Sequence, residues 1–278
     1  YASYVFDASV WEIFSALSYG STLFIIGYEA RKDSVKLRTF LKENKIDLCL
    51  LPPMLLTSMS STQLSDLSTL LVGGDSSSKE LMDTWSQGRN LINAYGPTES
   101  TVCVTMNHYS AGDSNTNIGK PLDNITLYVL DRSLNPVPVG VIGELYAGGA
   151  GLARGYLNNH ALTQEYFINN PFSTEADVRN GYTRLYKTGD LVRWRTDGTL
   201  EFVGRNDNQV KIRGYRIEPG EIEQALRQIP GIKESCVIAR ERTTESGKNK
   251  YLVGYYVAEQ GAKAITSSEI LTHLSTVL

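Results

Sequence analysis

Residues 68–100 read STLLVGGDSSSKELMDTWSQGRNLINAYGPTES. Two runs, STLLVGG and NLINAYG, are apolar almost throughout, and SKELMDTW between them has the spacing of a helix. A strand that is apolar on both faces must be covered on both faces, which is the habit of parallel sheets. Strand, helix, strand in this order predicts a parallel crossover unit. In such sheets ligands bind beyond the carboxyl ends of the strands. Two polar segments fall there: Gly73-Gly74-Asp75 after the first run, and AYGPTES, residues 94–100, after the second.

Outward from this unit, SVWEIFSALSYG places Val10, Ile13, Phe14 and Leu17 on one helical face, with Gly20 at the stop. STLFIIG, residues 21–27, reads as a buried strand. DSVKLRTFLKENK repeats the helical period through Leu37, Phe40 and Leu41, and IDLCLL is an apolar strand stopped by Pro52 and Pro53. After residue 110 the pattern changes. ITLYVLD alternates, GVIGELYAGG follows a Pro-rich turn, and LVRWRTDGTLEFVG carries Asp197-Gly198, a strong hairpin signal. These predict an antiparallel section in the manner of a small barrel. A third region starts near Asp207. EPGEIEQALRQI is a helix with Pro219 near its start and Ile222, Leu226 and Ile229 inward. ESCVIARE and KYLVGYYV are strands joined by the polar RTTESGKN, and TSSEILTHLSTVL opens with a capping box from Thr266 to Glu269. The expected fold class is α/β: parallel sheet layers covered by helices, a small antiparallel section, then a small α+β lid. The expected division is 1–206 and 207–278, at the polar junction GRNDNQVKIRG.

Composition narrows the function. The chain has 278 residues, 41% hydrophobic and 21% charged, which is ordinary for a globular protein. A net charge of −3 argues against a surface that tracks nucleic-acid phosphates. No apolar run approaches the roughly 20 residues that span a bilayer, and no secretory signal opens the chain. Cys49, Cys103 and Cys236 are far apart, and His108, His160 and His273 are scattered. That pattern argues against a zinc site or a disulfide framework, and each Cys is expected to be a small buried apolar residue. A reducing, cytoplasmic compartment is expected. The opening YASYVFDASVWEIF has the pattern of mid-domain and no initiator Met, so the chain is expected to be a fragment.

Three further motifs are ambiguous singly. GGAGLARG, residues 148–155, is glycine-rich, but it lacks the Lys-Ser/Thr pair of a P-loop and the strand–helix setting of a dinucleotide site. Taken alone it reads as a tight turn between strands. In LYKTGDLVRW, Asp190 follows a Gly turn and precedes a strand, where a carboxylate could take two sugar hydroxyls or simply form the turn. GRNDNQVKIRGYRIEPGEIE, residues 204–223, could be a solvated charged linker.

Taken together with FDASVWEIF, NAYGPTES and GELYAGGAGLARGYL, in this order, these segments resemble the adenylation domains of nonribosomal peptide synthetases, within the acyl-adenylate-forming superfamily. The resemblance covers essentially the whole chain. It implies that NAYGPTES holds ATP and then aminoacyl-AMP. On this resemblance Asn93 and Tyr95 flank the adenine, Thr98 contacts the α-phosphate and Glu99 helps hold Mg²⁺, with Thr98 and Glu99 as the catalytic pair. Asp190 takes the ribose hydroxyls, Arg205 contacts ribose, and Ala94, Gly96 and Phe202 complete the nucleotide set. Asp207 matches a hinge. Asp7 matches the partner of a substrate ammonium group, and Ala8, Trp11, Leu50, Leu71, Gly73, Ala94, Val102 and Cys103 match the side-chain pocket. That set is apolar, which favours leucine first and phenylalanine second.

The resemblance also implies ATP and Mg²⁺ as cofactors, and a phosphopantetheine-bearing peptidyl carrier protein as partner. A small helper protein is a further candidate; nucleic acid and membrane are not expected. Two family elements are expected outside the chain: a phosphate loop with its Lys before Tyr1, and a catalytic Lys after Leu278. The SGK triplet at Ser246 to Lys248 comes too early to be that Lys, so the fragment alone is expected to be weakly active or inactive. Two competing readings are a non-catalytic nucleotide- or carrier-binding remnant and an acyl-CoA ligase, against which Asp7 argues.

Overall fold

The computed structural model describes residues 1–212, 214–244, 247–262 and 265–278, and for 243–244 and 247–249 its description is of backbone only. Among these residues the chain divides into two compact units, Tyr1–Asn206 and Asp207–Leu278.

The first unit opens with helices α1 (Ala8–Ser18), α2 (Tyr28–Lys32) and α3 (Ser34–Glu43). The parallel part follows: β1 (Leu48–Leu50), the short α4 (Pro53–Leu56), β2 (Thr69–Gly73), α5 (Lys79–Trp85) and β3 (Asn90–Tyr95). β1 pairs parallel with β2, and β2 with β3. Register sets Leu50 beside Leu71, and Gly73 beside Ala94. Burial explains why these runs are apolar. Leu70, Val72 and Leu91 join Leu37 and Leu41 of α3 and Met82 and Trp85 of α5 in one core.

Antiparallel strands then extend the same sheet. β4 (Thr105–Tyr109), β5 (Asn117–Pro121), β6 (Ile125–Leu130) and β7 (Gly143–Gly149) are followed by α6 (His160–Tyr166), β8 (Phe167–Asn169), α7 (Glu175–Asn180), β9 (Arg184–Trp194) and β10 (Leu200–Arg205). The strand order is β1-β2-β3-β4-β5-β10-β9-β7-β6. The expected antiparallel section is present, and it continues the parallel one in a single strand order rather than in the manner of a small barrel. The Asp197-Gly198 signal forms its hairpin, with Gly198 at φ +76° and Trp194 opposite Leu200. A second core, including Val104, Leu145, Val192 and Leu200, sits under this part.

The second unit contains the pair β11 (Val210–Ile212) and β12 (Tyr215–Ile217), then α8 (Pro219–Arg227), the hairpin β13 (Ile232–Thr244) and β14 (Gly247–Ala258), and α9 (Ser267–Val277). Leu226, Ile229, Ile232 and Val237 form its core, with Ile222 packed against them. Thr266 and Glu269 make the expected capping box. β13 and β14 run well into the segment expected to be a loop. Ser246 of the SGK triplet lies outside the described residues, as does the side chain of Lys248.

Three further expectations are corrected, and the one for α1 holds. The α1 helix forms as expected, with Val10, Ile13, Phe14 and Leu17 on a face that the described residues leave uncovered: Phe14 is 64% exposed and Leu17 60%. The helix is held by Ala8 and Ser9, which are buried, and by Glu12, whose carboxylate accepts from the backbone N–H of Ala2 at 2.9 Å. Periodicity identifies residues that share a face, not which face has a partner. Residues 21–27 form no strand, and Ile25 is 85% exposed. A strand needs a ladder neighbour, and none of the described strands pairs with this run. β1 is shorter than IDLCLL and Leu48 is exposed, because β1 lies at the sheet edge. Cys236 is exposed, whereas Cys103 is buried. Among the described residues no helix is long and apolar enough to cross a membrane.

Leu70 has no exposure and sits in the central parallel strand. Leu70→Ala is expected to lower the unfolding free energy by about 2–5 kcal/mol. Urea denaturation followed by Trp fluorescence checks this, and an unchanged midpoint would show that β2 is not central to the core.

Candidate functional site

The carboxyl ends of β2 and β3 bring the site together. Gly73 ends β2 against Ala94, so closely that a Cβ on Gly73 would lie 2.6 Å from the Ala94 carbonyl oxygen. Gly73 is thus required by backbone approach, whatever room it also leaves for a ligand. Past Tyr95 the chain turns sharply. A Cβ on Gly96 would come within 2.3 Å of Cys103 Cα, so only glycine fits that crossing. Residues Thr98–Ser100 make one 3₁₀ turn, and Thr101 and Val102 follow at φ +62° and +68°. Two consecutive β-branched residues in the left-handed region are strained, and such strain clusters at functional loops.

One group of expected residues centres on Asp190, a buried carboxylate. Arg205 Nη1 lies 2.5 Å from Asp190 Oδ1, and both side chains are mostly buried. The Tyr95 hydroxyl donates to Asp190 Oδ2. Burial first, and the Asp190 charge second, hold the Tyr95 hydroxyl well above its ordinary pKa. Arg205 Nη2 also donates to the Thr188 carbonyl at 3.1 Å, and Phe202 stands 6.3 Å from the Tyr95 ring. Asp190 lies inside β9, not in a turn before a strand. Gly189 at φ +74° sits where the β7–β9 register shifts, and the backbone N–H of Asp190 donates to Thr188 Oγ1 at 3.0 Å. Asn93 is tied differently, its amide donating to the Asn117 carbonyl at 3.0 Å.

A second group joins the start of α1 to the loop after β3. Thr98 Oγ1 donates to Asp7 Oδ2 at 2.6 Å. Cys103 is close by: burial, then the Asp7 charge, push its thiol up to about 11. Glu99 points elsewhere, and Oε1 accepts from the Tyr156 hydroxyl at 2.8 Å.

Of the expected pocket residues, Trp11, Leu50 and Leu71 line one cleft of about 780 Å³, together with Ile92 and Met106. Ala8 and Cys103 are buried, and Val102 occupies the strained loop. Asp207, the expected hinge, is the first residue of the second unit. Sequence reasoning missed Thr188, Ile92, Met106 and Tyr156. Thr188 lies within the quoted LYKTGDL motif, and Ile92 is the register partner of Leu71. Tyr156 carried no signal beyond closing the glycine-rich segment.

Among the described residues there is no cluster of three or more His, Cys, Asp or Glu side chains that could hold a metal. A single half-buried carboxylate, Glu99, suits Mg²⁺, which keeps waters and phosphate oxygens as its other ligands.

The family described as AMP-binding enzyme matches residues 1–157. Tyrocidine synthase 1 of Brevibacillus parabrevis is 42% identical over 265 residues, covering 94% of this chain and 23% of that protein. Bacitracin synthase 3 of Bacillus licheniformis is 45% identical, covering 98% of this chain and 4% of that protein. An artificially fused adenylation–PCP di-domain peptide synthetase from Klebsiella oxytoca superposes with a TM-score of 0.79 at 26% identity, covering 99% of this chain and 50% of its own. The chain therefore spans a small part of these curated relatives and half of the solved di-domain.

Asp190→Ala is expected to cost about 3–5 kcal/mol of folding stability, because Arg205 would be left as a buried charge without its carboxylate. Urea unfolding of the chain checks this. A loss below about 1 kcal/mol, the scale of a surface pair, would mean that Arg205 is not held by Asp190.

Proposed function

This chain belongs to the AMP-binding enzyme family, and from that premise we propose that the protein carrying it activates an apolar α-amino acid with ATP. The product is aminoacyl-AMP, which then passes to the phosphopantetheine thiol of a carrier protein. One observation carries the reading: the Thr98–Asp7 hydrogen bond puts the proposed ammonium partner beside the proposed α-phosphate contact.

In this reading the amino acid enters with its ammonium group on Asp7. Its side chain extends toward the apolar cleft of Trp11, Leu50 and Leu71. The ribose hydroxyls share Asp190 with Tyr95 and Arg205, and the adenine lies against Tyr95, Phe202 and the Ala94–Gly96 backbone beside Asn93. The α-phosphate then falls near Thr98. The substrate carboxylate attacks the α-phosphorus, a new P–O bond forms and the bond to pyrophosphate breaks. Attack brings two anions together, so the site must align them and neutralise charge. Glu99 would hold Mg²⁺, which would supply part of that neutralisation. Asp207, at the boundary of the units, is the proposed hinge for exchanging the two half-reactions. The solved neighbour, an adenylation–PCP di-domain, supports a carrier partner. Reaction with a carrier thiol suits a reducing, cytoplasmic setting.

The ranking is leucine first and phenylalanine second. Such a pocket discriminates weakly, since one methylene is worth only about 1–3 kcal/mol. Amino-acid-dependent ATP–pyrophosphate exchange by the full protein, across a panel of amino acids, tests the proposal. Leucine should lead, with leakage to Ile, Val and Met, and Asp7→Ala should depress exchange with every amino acid. A panel led by Asp, Lys or Ser would overturn the apolar pocket, and full activity of Asp7→Ala would remove its ammonium role.

A further inference from the structure

We infer that Tyr156 is the positioning residue for the Glu99 carboxylate, and that the glycine-rich segment before it carries it there. For what Glu99 does, this rests on the adenylation reading above; the geometry stands without it. Residues 148–155 resemble a phosphate cradle in composition only. In the fold they lie along the strained loop 98–102 and tie to it three times, counting Tyr156. The backbone N–H of Ala153 donates to the Glu99 carbonyl at 2.8 Å. Thr101 Oγ1 donates to the Gly151 carbonyl at 2.7 Å. The Tyr156 hydroxyl donates to Glu99 Oε1 at 2.8 Å. The glycines have a steric reason. A Cβ on Gly151 would lie 2.8 Å from the Ser100 carbonyl oxygen, and one on Gly155, at φ +142°, would lie 2.4 Å from Thr163 Cγ2.

Tyr156 is itself anchored. Its backbone N–H donates to Thr163 Oγ1 at 2.9 Å. Its ring stands edge-on to Tyr166 and Phe167, with centroids at 6.2 and 5.7 Å. Arg184 of β9 donates to the Ala153 and Arg154 carbonyls at 3.0 and 2.9 Å and lies 5.4 Å from the Phe167 ring centre. The Tyr156 donor, fixed in an aromatic cluster, holds one oxygen of the Glu99 carboxylate in place. Hydrogen bonds of this outer kind orient metal-holding carboxylates and tune their affinity. Tyr156 touches no reacting atom, and it acts through Glu99.

The test uses the full protein that carries this chain, with Mn²⁺ as probe in the presence of AMP, read by the Mn²⁺ spin-resonance signal. Tyr156→Phe keeps the ring and removes the donor. It should raise the half-saturating Mn²⁺ concentration about tenfold, with the KM for the amino acid unchanged. Glu99→Gln gives the reference loss, and Tyr156→Phe added to Glu99→Gln should cost nothing more. Unchanged Mn²⁺ binding in Tyr156→Phe, additive losses in the double variant, or failure of Tyr156→Phe to fold would each overturn the positioning role. Wild-type protein that binds Mn²⁺ and AMP yet shows no amino-acid-dependent exchange would sink the adenylation reading alone, since the Mn²⁺ comparison reads Tyr156 independently.

Discussion

A buried carboxylate needs partners, and Asp190 has two on opposite oxygens: the Arg205 guanidinium and the Tyr95 hydroxyl. Removing a charge from water costs several kcal/mol unless such partners replace the lost hydration. The constraint organises the sheet around it. Tyr95 ends a parallel strand, Asp190 lies in a strand of the antiparallel part, and Arg205 ends the strand beside that one. Thr188, held by its hydroxyl to the Leu145 carbonyl at 2.7 Å, presents its own carbonyl to Arg205. The parallel and antiparallel parts of the sheet, already joined strand to strand, therefore also share one buried polar point.

The loop after Tyr95 carries the second consequence. Glycine at position 96 lets β3 cross closely over Cys103, and the chain then passes through left-handed Thr101 and Val102. Strain of this kind costs on the order of 1–3 kcal/mol per residue and persists only where the surroundings fix it. Here the fixing comes from the segment after β7, through Gly151 and Ala153. The loop can thereby hold Thr98 against Asp7 on one side and Glu99 against Tyr156 on the other. In the proposed reaction these are the two charge problems of a carboxylate meeting a phosphate: one side places the nucleophile, the other the cation.

Much of this was legible in the sequence, and the exceptions follow from physics. STLLVGG and NLINAYG read correctly because each strand is buried by its own local pattern. The second unit reads correctly for the same reason, since Ile222, Leu226 and Ile229 recur at helical spacing and do face a core. The unpaired run 21–27 could not be read, because pairing is a property of neighbours rather than of the segment. The candidate site shows the same split. Each motif could be found locally, but the contacts join residues 91 positions apart for Asp7 and Thr98, and 95 apart for Tyr95 and Asp190. Tyr156 meets Glu99 across 57 positions with only a tyrosine after glycines to mark it. A tyrosine there looks like any core aromatic, so its hydroxyl's partner was invisible before the fold.

The central claim is that an amino acid's carboxylate attacks the α-phosphate at the joint between Asp7 and Thr98. Isotope transfer tests it most directly. The full protein would be incubated with ATP and leucine labelled with ¹⁸O in its carboxylate, and the released AMP examined by mass spectrometry. The proposed reaction predicts that AMP carries one ¹⁸O atom, because the attacking carboxylate oxygen stays on phosphorus when the aminoacyl group leaves. Label in orthophosphate, or unlabelled AMP despite turnover, would contradict it.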